Sequence, residues 1–424
     1  MTYQETLAYI YSLGRFGMKP GLERITVLLQ ALGNPQDRLQ TVHVAGTNGK
    51  GSTAAFLSSI LAAGGHQVGL FTSPHLTNFT ERIRINGAEI SEGEVTALAE
   101  RVMAAAPTGT TFFEMVTAMA FLHFAEKGVA LAIMEAGMGG RLDATNAASG
   151  ILSVITPVSL DHCDYLGKSL AEIAFEKAGV VKQGRPVVVS AQSPEALAVI
   201  ERQCAQRGSP IFRYGENFSA SWDADGLAYR GIRTALAGLK PGIAGRYQAA
   251  NAATALCAAE LLTAPGFDPD AAALKRGIEN AKWPGRMEVM GGAPGILLDG
   301  AHNPAGGLAL AESLEDIPRE RLLLVAGVME DKDVDGILGP LLPLIDHAFA
   351  VSPTLARALS SERLAAFLCS SGVKCVDAGS VKAGLDLAKK MARPADLILV
   401  CGSLFTVGEA RAYLLAKRYE PFRG

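Results

Sequence analysis

Short runs of apolar, often β-branched residues alternate along this chain with longer segments whose apolar positions recur at helical spacing. The runs at 40–45, 67–72, 129–134, 151–156 and 186–190 predict strands, and the segments at 49–63, 93–105, 112–127, 169–178 and 194–207 predict helices. Continuous apolar runs separated by helices are the pattern of parallel βαβ units, whose strands are buried on both faces. Asn86-Gly87, set between Arg82-Ile83-Arg84-Ile85 and Ala88-Glu89-Ile90, predicts an antiparallel hairpin, and residues 217–236 predict a second small β excursion before an alanine-rich helix at 246–262. After Trp283-Pro284-Gly285-Arg286 the alternation restarts, with strands near 295–299, 321–327, 346–351, 373–377 and 396–401. Two α/β parts are expected, with the boundary near 284.

Composition narrows the function classes. A chain of 424 residues exceeds what one core spans, and 49% hydrophobic content supplies two. A formal net charge of −3 with no block of like charges argues against nucleic acid or an anionic membrane surface as the main partner. The six cysteines lack C-x-x-C spacing, which suits reduced thiols packed as small hydrophobes better than a disulfide framework or a zinc site. The polar start and the lack of any apolar run near ~18 residues predict neither export nor membrane insertion, so a cytoplasmic protein is expected.

Candidate chemistry begins at Val42-His43-Val44-Ala45-Gly46-Thr47-Asn48-Gly49-Lys50-Gly51-Ser52-Thr53, an apolar run opening into a glycine-rich turn with one lysine and two hydroxyls. Such a turn cradles a nucleoside triphosphate: glycines let backbone N–H groups converge on phosphate, the helix start adds positive potential, and lysine and a hydroxyl serve phosphate and Mg2+. The spacing departs from G-x-x-x-x-G-K-[ST], because Gly51 intervenes before the hydroxyl and Val44 stands where the first glycine belongs. Three further strand ends carry polar groups toward the same ligand crevice: Glu135 before a glycine-rich loop, Asp161-His162 after the run 151–156, and Asp299-Gly300-Ala301-His302-Asn303-Pro304 in the second part. Glu135 is a hard oxygen ligand for Mg2+, His162 a candidate metal ligand, Asp161 a substrate or outer ligand group, and Asn303-Pro304 an N-cap with proline at the first helical position. Lys177, in Glu176-Lys177-Ala178-Gly179, reads locally as a cation at a helix C-terminus.

Taken together, Ala45–Ser52, Phe71-Thr72-Ser73-Pro74-His75-Leu76, Gly139–Asn146, Leu160-Asp161-His162, Glu176–Gly179 and Asp299–Pro304 resemble the folylpolyglutamate synthase/dihydrofolate synthase family of the Mur ligase superfamily, in order over nearly the whole chain. The resemblance implies an α/β fold with an N-terminal P-loop-type domain at 1–284, its mostly parallel sheet flanked by helices and holding a pterin site. A smaller Rossmann-like α/β domain at 285–424 would close over ATP and glutamate. The implied activity is ATP-dependent ligation of L-glutamate to dihydropteroate and to reduced folates through an acyl phosphate, releasing ADP and phosphate. By resemblance Gly46, Thr47, Asn48, Gly49, Lys50, Gly51 and Ser52 cradle phosphate, Asn251, Arg286 and Asp299 serve the nucleotide, and Ser52, Ser73, Glu135, His162 and Lys177 surround Mg2+, two ions being expected. Lys177 matches a lysine that the family carries as a carbamate. Lys50, Lys177, Asp299 and His302 are the implied catalytic set. Phe112 and Phe113 offer a stacking surface for the pterin and Glu114 a carboxylate for a ring amine, with Arg141, Asp143 and Ala144 implied for the same pocket. Arg286, His302 and Ser403 are candidates for glutamate and phosphate, and Asp161 is a candidate for the substrate. The small-molecule partners are then ATP, L-glutamate, dihydropteroate and reduced folates, handled by a monomer.

Two rivals remain open at this level. Another Mur-type ligase would need an additional N-terminal domain for a uridine nucleotide, where only about 40 residues precede the loop. A non-catalytic nucleotide switch would leave Lys177, Asp299 and His302 without a purpose.

Overall fold

The computed structural model describes residues 1–17 and 20–421. Its first sheet contains β1 (Gln40–Ala45), β2 (Val68–Phe71), β3 (Ile83–Ile85), β4 (Ala88–Glu89), β5 (Leu131–Glu135), β6 (Leu152–Ile155), β7 (Val187–Val189) and β8 (Ile211–Arg213), in the order 4-3-2-5-1-6-7-8. The pairs from β2 through β8 are parallel, and β3 and β4 add an antiparallel edge. That hairpin turns at Asn86 and Gly87, both at positive φ (48° and 80°), as a two-residue turn matched to strand twist requires.

Strand β1 is buried at every residue after Gln40 and lies between β5 and β6. From β1 the chain runs outward to β2, returns to β5, and then crosses to β6 on the other side. The direction of winding therefore reverses around β1, and the crevice at the carboxyl ends of these three strands is where open α/β sheets bind ligands. The helix following β1, Lys50–Ala63, is buried along most of its length and packs on the helices Gln248–Leu262 and Ala271–Asn280. Small residues permit this: a Cβ on Gly277 would strike the backbone of Ile60.

A three-stranded antiparallel sheet, β9 (Ser219–Asp223), β10 (Gly226–Arg230) and β11 (Ala235–Leu239), covers one side of that helix layer. The second main sheet contains β12 (Glu288–Met290), β13 (Gly295–Leu298), β14 (Leu322–Ala326), β15 (His347–Ser352), β16 (Cys375–Ser380) and β17 (Leu397–Cys401), ordered 12-13-17-14-15-16 and parallel except at β12. Its strands form separate hydrophobic clusters from those of the first sheet. The mixed, parallel-rich α/β architecture is the one the sequence pattern predicts.

The pattern missed β8 and β12, three-residue edges with no fully buried position, and the helices Tyr3–Ser12, Glu23–Ala31 and Ala271–Asn280. Cys204, Cys257 and Cys401 are buried, whereas Cys163 and Cys369 are exposed and Cys375 half-buried, so packing accounts for half of the thiols. Among the described residues no helix is long and apolar enough to cross a membrane.

Candidate active site

The loop after β1 bends at Gly46 (φ 145°), where a Cβ would collide with Thr156 of the neighbouring strand end, and again at Gly49 (φ 84°), where it would collide with the Asn251 carboxamide. Gly51 faces the Trp283 indole, with its missing Cβ 2.8 Å from Nε1. The intervening glycine that separates Lys50 from Ser52 is thus the residue that lets the loop pass beneath a tryptophan from the junction between the two sheets. The N–H groups of Thr47 and Asn48 both donate to the Pro157 carbonyl, at 2.9 and 3.2 Å, which docks the loop on the segment after β6. Helix geometry leaves the N–H groups that open the following turn, Gly49 to Ser52, for an anion.

Two lysines converge on this loop. Lys50 Nζ lies 3.2 Å from the Gly46 carbonyl and 3.1 Å from that of Thr47. Lys177 Nζ, from the helix Leu170–Ala178, donates to the same Gly46 oxygen at 2.7 Å and is almost fully buried. Burial pushes the Lys177 ammonium down to about 7, and the charge of Lys50 adds to the effect against the pull of Asp161 and Asp143. Beside them Glu135 ends β5. Its carboxyl is buried and raised by that burial, against the opposing influence of Lys50, and accepts one backbone bond from Ser73 N–H at 3.1 Å. A buried carboxylate with one backbone donor fits a cation-binding role. Ser52 Oγ accepts from Gln248 Nε2 at 3.3 Å, and Gln248 in turn holds Asn251. Glu135, Ser73, Gly51, Trp283, Arg286 and Leu404 line one cleft between the two sheets. Among the described residues no group of three or more His, Cys, Asp or Glu side chains is arranged to hold a metal by itself.

Across the cleft, Asp299 is buried at the end of β13 and accepts from Tyr247 Oη (2.9 Å), Met287 N–H (3.0 Å) and Ala301 N–H (2.9 Å). Burial raises its carboxyl, opposed by Arg286. His302 is held through Nδ1 by the Gly300 carbonyl at 2.8 Å, and burial brings it down to about 4 with a contribution from Arg286. Asp161 meets the second half directly. Its Oδ1 accepts from Lys332 Nζ at 2.6 Å, and Nε2 of His302 and of His162 each lie 3.9 Å from Oδ2. Against the cost of burial, His162, Lys332 and His302 together hold that carboxyl well below the usual range.

The matching family models are the Mur ligase middle domain over residues 44–259 and the Mur ligase glutamate ligase domain over residues 285–404. A Bacillus subtilis dihydrofolate synthase/folylpolyglutamate synthase is 37% identical over 97% of this chain and 99% of its own length. The chain belongs to the dihydrofolate synthase/folylpolyglutamate synthase family of Mur ligases. Escherichia coli FolC, solved in complex with DHPP and ADP, superposes with a TM-score of 0.90 at 32% identity, covering 98% of both chains. The Yersinia pestis bifunctional folylpolyglutamate synthase/dihydrofolate synthase, complexed with AMPPNP and Mn ion, superposes at 0.88 and 33% identity, again covering 98% of both chains. The chain spans about half the length of its relatives from Halobacterium salinarum and Haloferax volcanii, at 51% and 50%, each 39% identical to it.

The remaining family-matched residues divide by position. Glu114 completes a capping box with Thr111 and pairs with Arg24 at 3.1 Å, while Phe112 stacks on Tyr11 (5.9 Å, 14° between ring planes). Phe113 packs on Phe71 and over Gly137. Asp143 accepts from the N–H groups of Gly137, Met138 and Thr145 and from the Thr145 hydroxyl, so both oxygens shape the glycine-rich loop, with Ala144 buried next to it. Arg141 pairs with Glu176 at 2.8 Å and lies over the Phe175 ring. Ser403 caps the helix Leu404–Leu414, its Oγ accepting from Thr406 N–H at 3.0 Å. Sequence reasoning missed Trp283, which lines the cleft, and Lys332, which pairs with Asp161. The cue for Lys332 was the charged run Glu330-Asp331-Lys332-Asp333 directly beyond the β14 strand end.

Proposed function

We propose that the protein is an ATP-dependent, ADP-forming ligase that joins L-glutamate to dihydropteroate and to the glutamate tail of reduced folates. The observation that carries this reading is the convergence of Lys50 and Lys177 on one carbonyl, Gly46, at a helix start and beside the buried Glu135. Such a site suits a multiply charged anion with an associated cation. DHPP and ADP bound to a relative that matches over nearly the full chain support the same substrates.

A carboxylate is a poor electrophile. Its oxygen attacks the γ-phosphorus of ATP, forming an O–P bond as the bond to ADP breaks, and the resulting acyl phosphate has a good leaving group. The glutamate nitrogen then attacks the carbonyl carbon, the C–O bond to phosphate breaks, and the amine gives up a proton. Gly49–Ser52 and Lys50 hold the phosphates, with Asn251, Arg286 and Asp299 serving the nucleotide. Ser52, Ser73, Glu135, His162 and a carbamylated Lys177 are the residues that would hold Mg2+, whose charge offsets the negative charge gathered in the cleft. A lysine that titrates near 7 is largely the free amine in mildly alkaline solution, the form whose lone pair takes up CO2 with release of a proton. Phe112, Phe113, Glu114, Arg141, Asp143 and Ala144 form the pterin end, Asp161, His302 and Ser403 the glutamate end. The chain acts as a cytoplasmic monomer, with domains 1–284 and 285–424 hinged at 284 so that closure excludes water from the acyl phosphate.

The test is phosphate release from MgATP with L-glutamate, comparing dihydropteroate, tetrahydrofolate and no pterin, with products weighed by mass spectrometry. Release with both pterins is expected. Release with tetrahydrofolate alone would reduce the activity to tail extension, and pterin-independent behaviour would remove the proposal.

A further inference from the structure

Asn48 stands in the phosphate loop, yet both its backbone N–H and its carboxamide have partners elsewhere in the protein. Its N–H is engaged by the Pro157 carbonyl, and its carboxamide reaches out of the loop to Asn303 in the other half of the molecule. Asn48 Nδ2 donates to Asn303 Oδ1 at 3.2 Å and Asn303 Nδ2 donates to Asn48 Oδ1 at 2.9 Å, a reciprocal pair across 255 residues of sequence. Asn303 is fixed: as N-cap of the helix Pro304–Leu314 its Oδ1 also accepts from Gly306 N–H at 2.9 Å, so its Nδ2 can only point at Asn48. It is 3% exposed, and water cannot readily substitute for a lost partner. From Asn48 the contact continues inward. Asn48 Nδ2 also lies 3.3 Å from Ser159 Oγ, and Ser159 exchanges two bonds with Thr47, each 3.1 Å. Two and three residues further on stand Asp161 and His162. One short path therefore joins a helix cap of the second half to the phosphate loop and to the polar end of β6.

We propose that the Asn48–Asn303 pair is a positioning contact that links closure of the second half to the geometry of the phosphate loop, so that phosphoryl transfer proceeds efficiently only when the two halves are together. The proposal rests on the ligase reading for its kinetic arm alone. Asn303 acts on the loop through Asn48, and Asn48 carries that contact into the loop it belongs to. An open molecule keeps its phosphate donors, Gly49 to Ser52, and with them part of its affinity for nucleotide. What it loses is the second anchor that holds the loop toward Asp161 and His162.

The experiment is a double-mutant cycle on the full-length protein with Asn48→Ala, Asn303→Ala and both together, supplemented by Asn303→Asp, which keeps the helix cap and the acceptor but removes the donor to Asn48. Four quantities are read: the dissociation constant for ATP in the absence of pterin, kcat, KM for ATP, and the radius of gyration by small-angle scattering with and without a non-hydrolysable ATP analogue. Two hydrogen bonds to a buried partner predict a fall in kcat of roughly ten-fold or more in Asn48→Ala. The ATP dissociation constant is expected to rise by less than kcat falls, because the phosphate donors Gly49 to Ser52 are untouched and only the share of nucleotide affinity that comes with closure is lost. The double variant should be no slower than the slower single one, Asn303→Asp should share the loss of kcat without the drop in thermal stability that Asn303→Ala suffers, and analogue-induced compaction should weaken in all four. Multiplicative effects on kcat would overturn the proposal. So would an ATP dissociation constant that rises in step with the loss of kcat/KM, which would make Asn48 a phosphate contact. Should wild-type protein release no phosphate with any pterin, the ligase reading fails, and the binding and scattering arms decide the pair on their own.

Discussion

At the residue scale, burial of ionisable groups sets the sharpest expectations. Lys177 sits where an ammonium is poorly solvated and repelled by Lys50, which is why it titrates near 7 rather than 10.5. Lys177→Ala is expected to abolish glutamate-dependent phosphate release, and added short carboxylates should restore part of it by occupying the position of the carbamate. Absence of rescue, together with a plain lysine in intact-mass spectra recorded under CO2, would sink the carbamate idea. His43, on β1, gives a pH prediction remote from the chemistry. It is fully buried, its Nε2–H donates to the Thr145 carbonyl at 2.7 Å, and burial lowers it from 6.5 to about 4, with Lys182 adding to the shift. Between those values the unfolded chain binds a proton that the folded chain does not, so His43 costs stability as pH falls, roughly 3 kcal/mol over the window. His43→Gln, which keeps a donor for Thr145, should flatten the loss of stability between pH 6.5 and 4 in urea titrations. An unchanged slope would show that other groups govern acid unfolding.

At the element scale, the helix Lys50–Ala63 and the loop before it depend on the junction between the sheets. A Cβ at Gly51 would lie 2.8 to 3.0 Å from three atoms of the Trp283 indole, over which the Arg84 guanidinium lies at 5.2 Å. Gly51→Ala is therefore expected to cost about 1–3 kcal/mol of stability through overpacking and to weaken ATP binding by displacing the first helical turn. Calorimetry of ATP binding beside thermal unfolding checks both, and wild-type values in the variant would mean that the indole yields freely. The elements themselves were largely legible in the sequence. Runs such as Val187–Val189 and Leu322–Ala326 are buried on both faces and announce parallel strands, and Asn86-Gly87 announces its turn through backbone preference alone. The site was legible only as far as local motifs carry chemistry: Lys50, Glu135, Asp161 and Asp299 stand at or beyond strand ends or in glycine loops, and of these Glu135 lines the cleft between the sheets. Trp283, Lys332 and the Asn48–Asn303 pair were not legible, because each acts through a partner more than 150 residues away and no local pattern records such a contact. For Asp143 the same motif encodes loop construction, since its oxygens accept four local donors.

At the scale of the whole molecule, several contacts tie the halves together, among them Asn48 with Asn303, Asp161 with Lys332 and His302, Tyr247 with Asp299, and Arg246 with Glu315 and Asp316. The last of these is exposed and, as an exposed ion pair, adds little stability. A further tie is formed by the segment around Glu420. After the helix Leu404–Leu414 the backbone returns to the first sheet. There Glu420 donates its N–H to the Thr77 carbonyl at 3.0 Å, and its own carbonyl accepts from His75 Nε2 at 2.7 Å. Its carboxylate accepts from Phe79 N–H at 2.9 Å and from Tyr3 Oη at 3.1 Å. Glu420 is 7% exposed, so removing the carboxylate leaves the Phe79 N–H in a place that water reaches poorly. The segment it holds, Ser73 to Phe79, is the one whose Ser73 N–H steadies Glu135. Glu420→Ala should thus lower global stability by about 1–3 kcal/mol, from the desolvated donor, and should also raise the KM for MgATP through the loosened Glu135. Glu420→Gln keeps an acceptor for both donors and should recover most of the stability. If Glu420→Ala unfolds at wild-type urea concentrations, the chain end contributes no tie. If it is destabilised while the KM for MgATP is unchanged, Glu135 is held by the first sheet without help from the chain end, and the coupling between tail and cleft is absent.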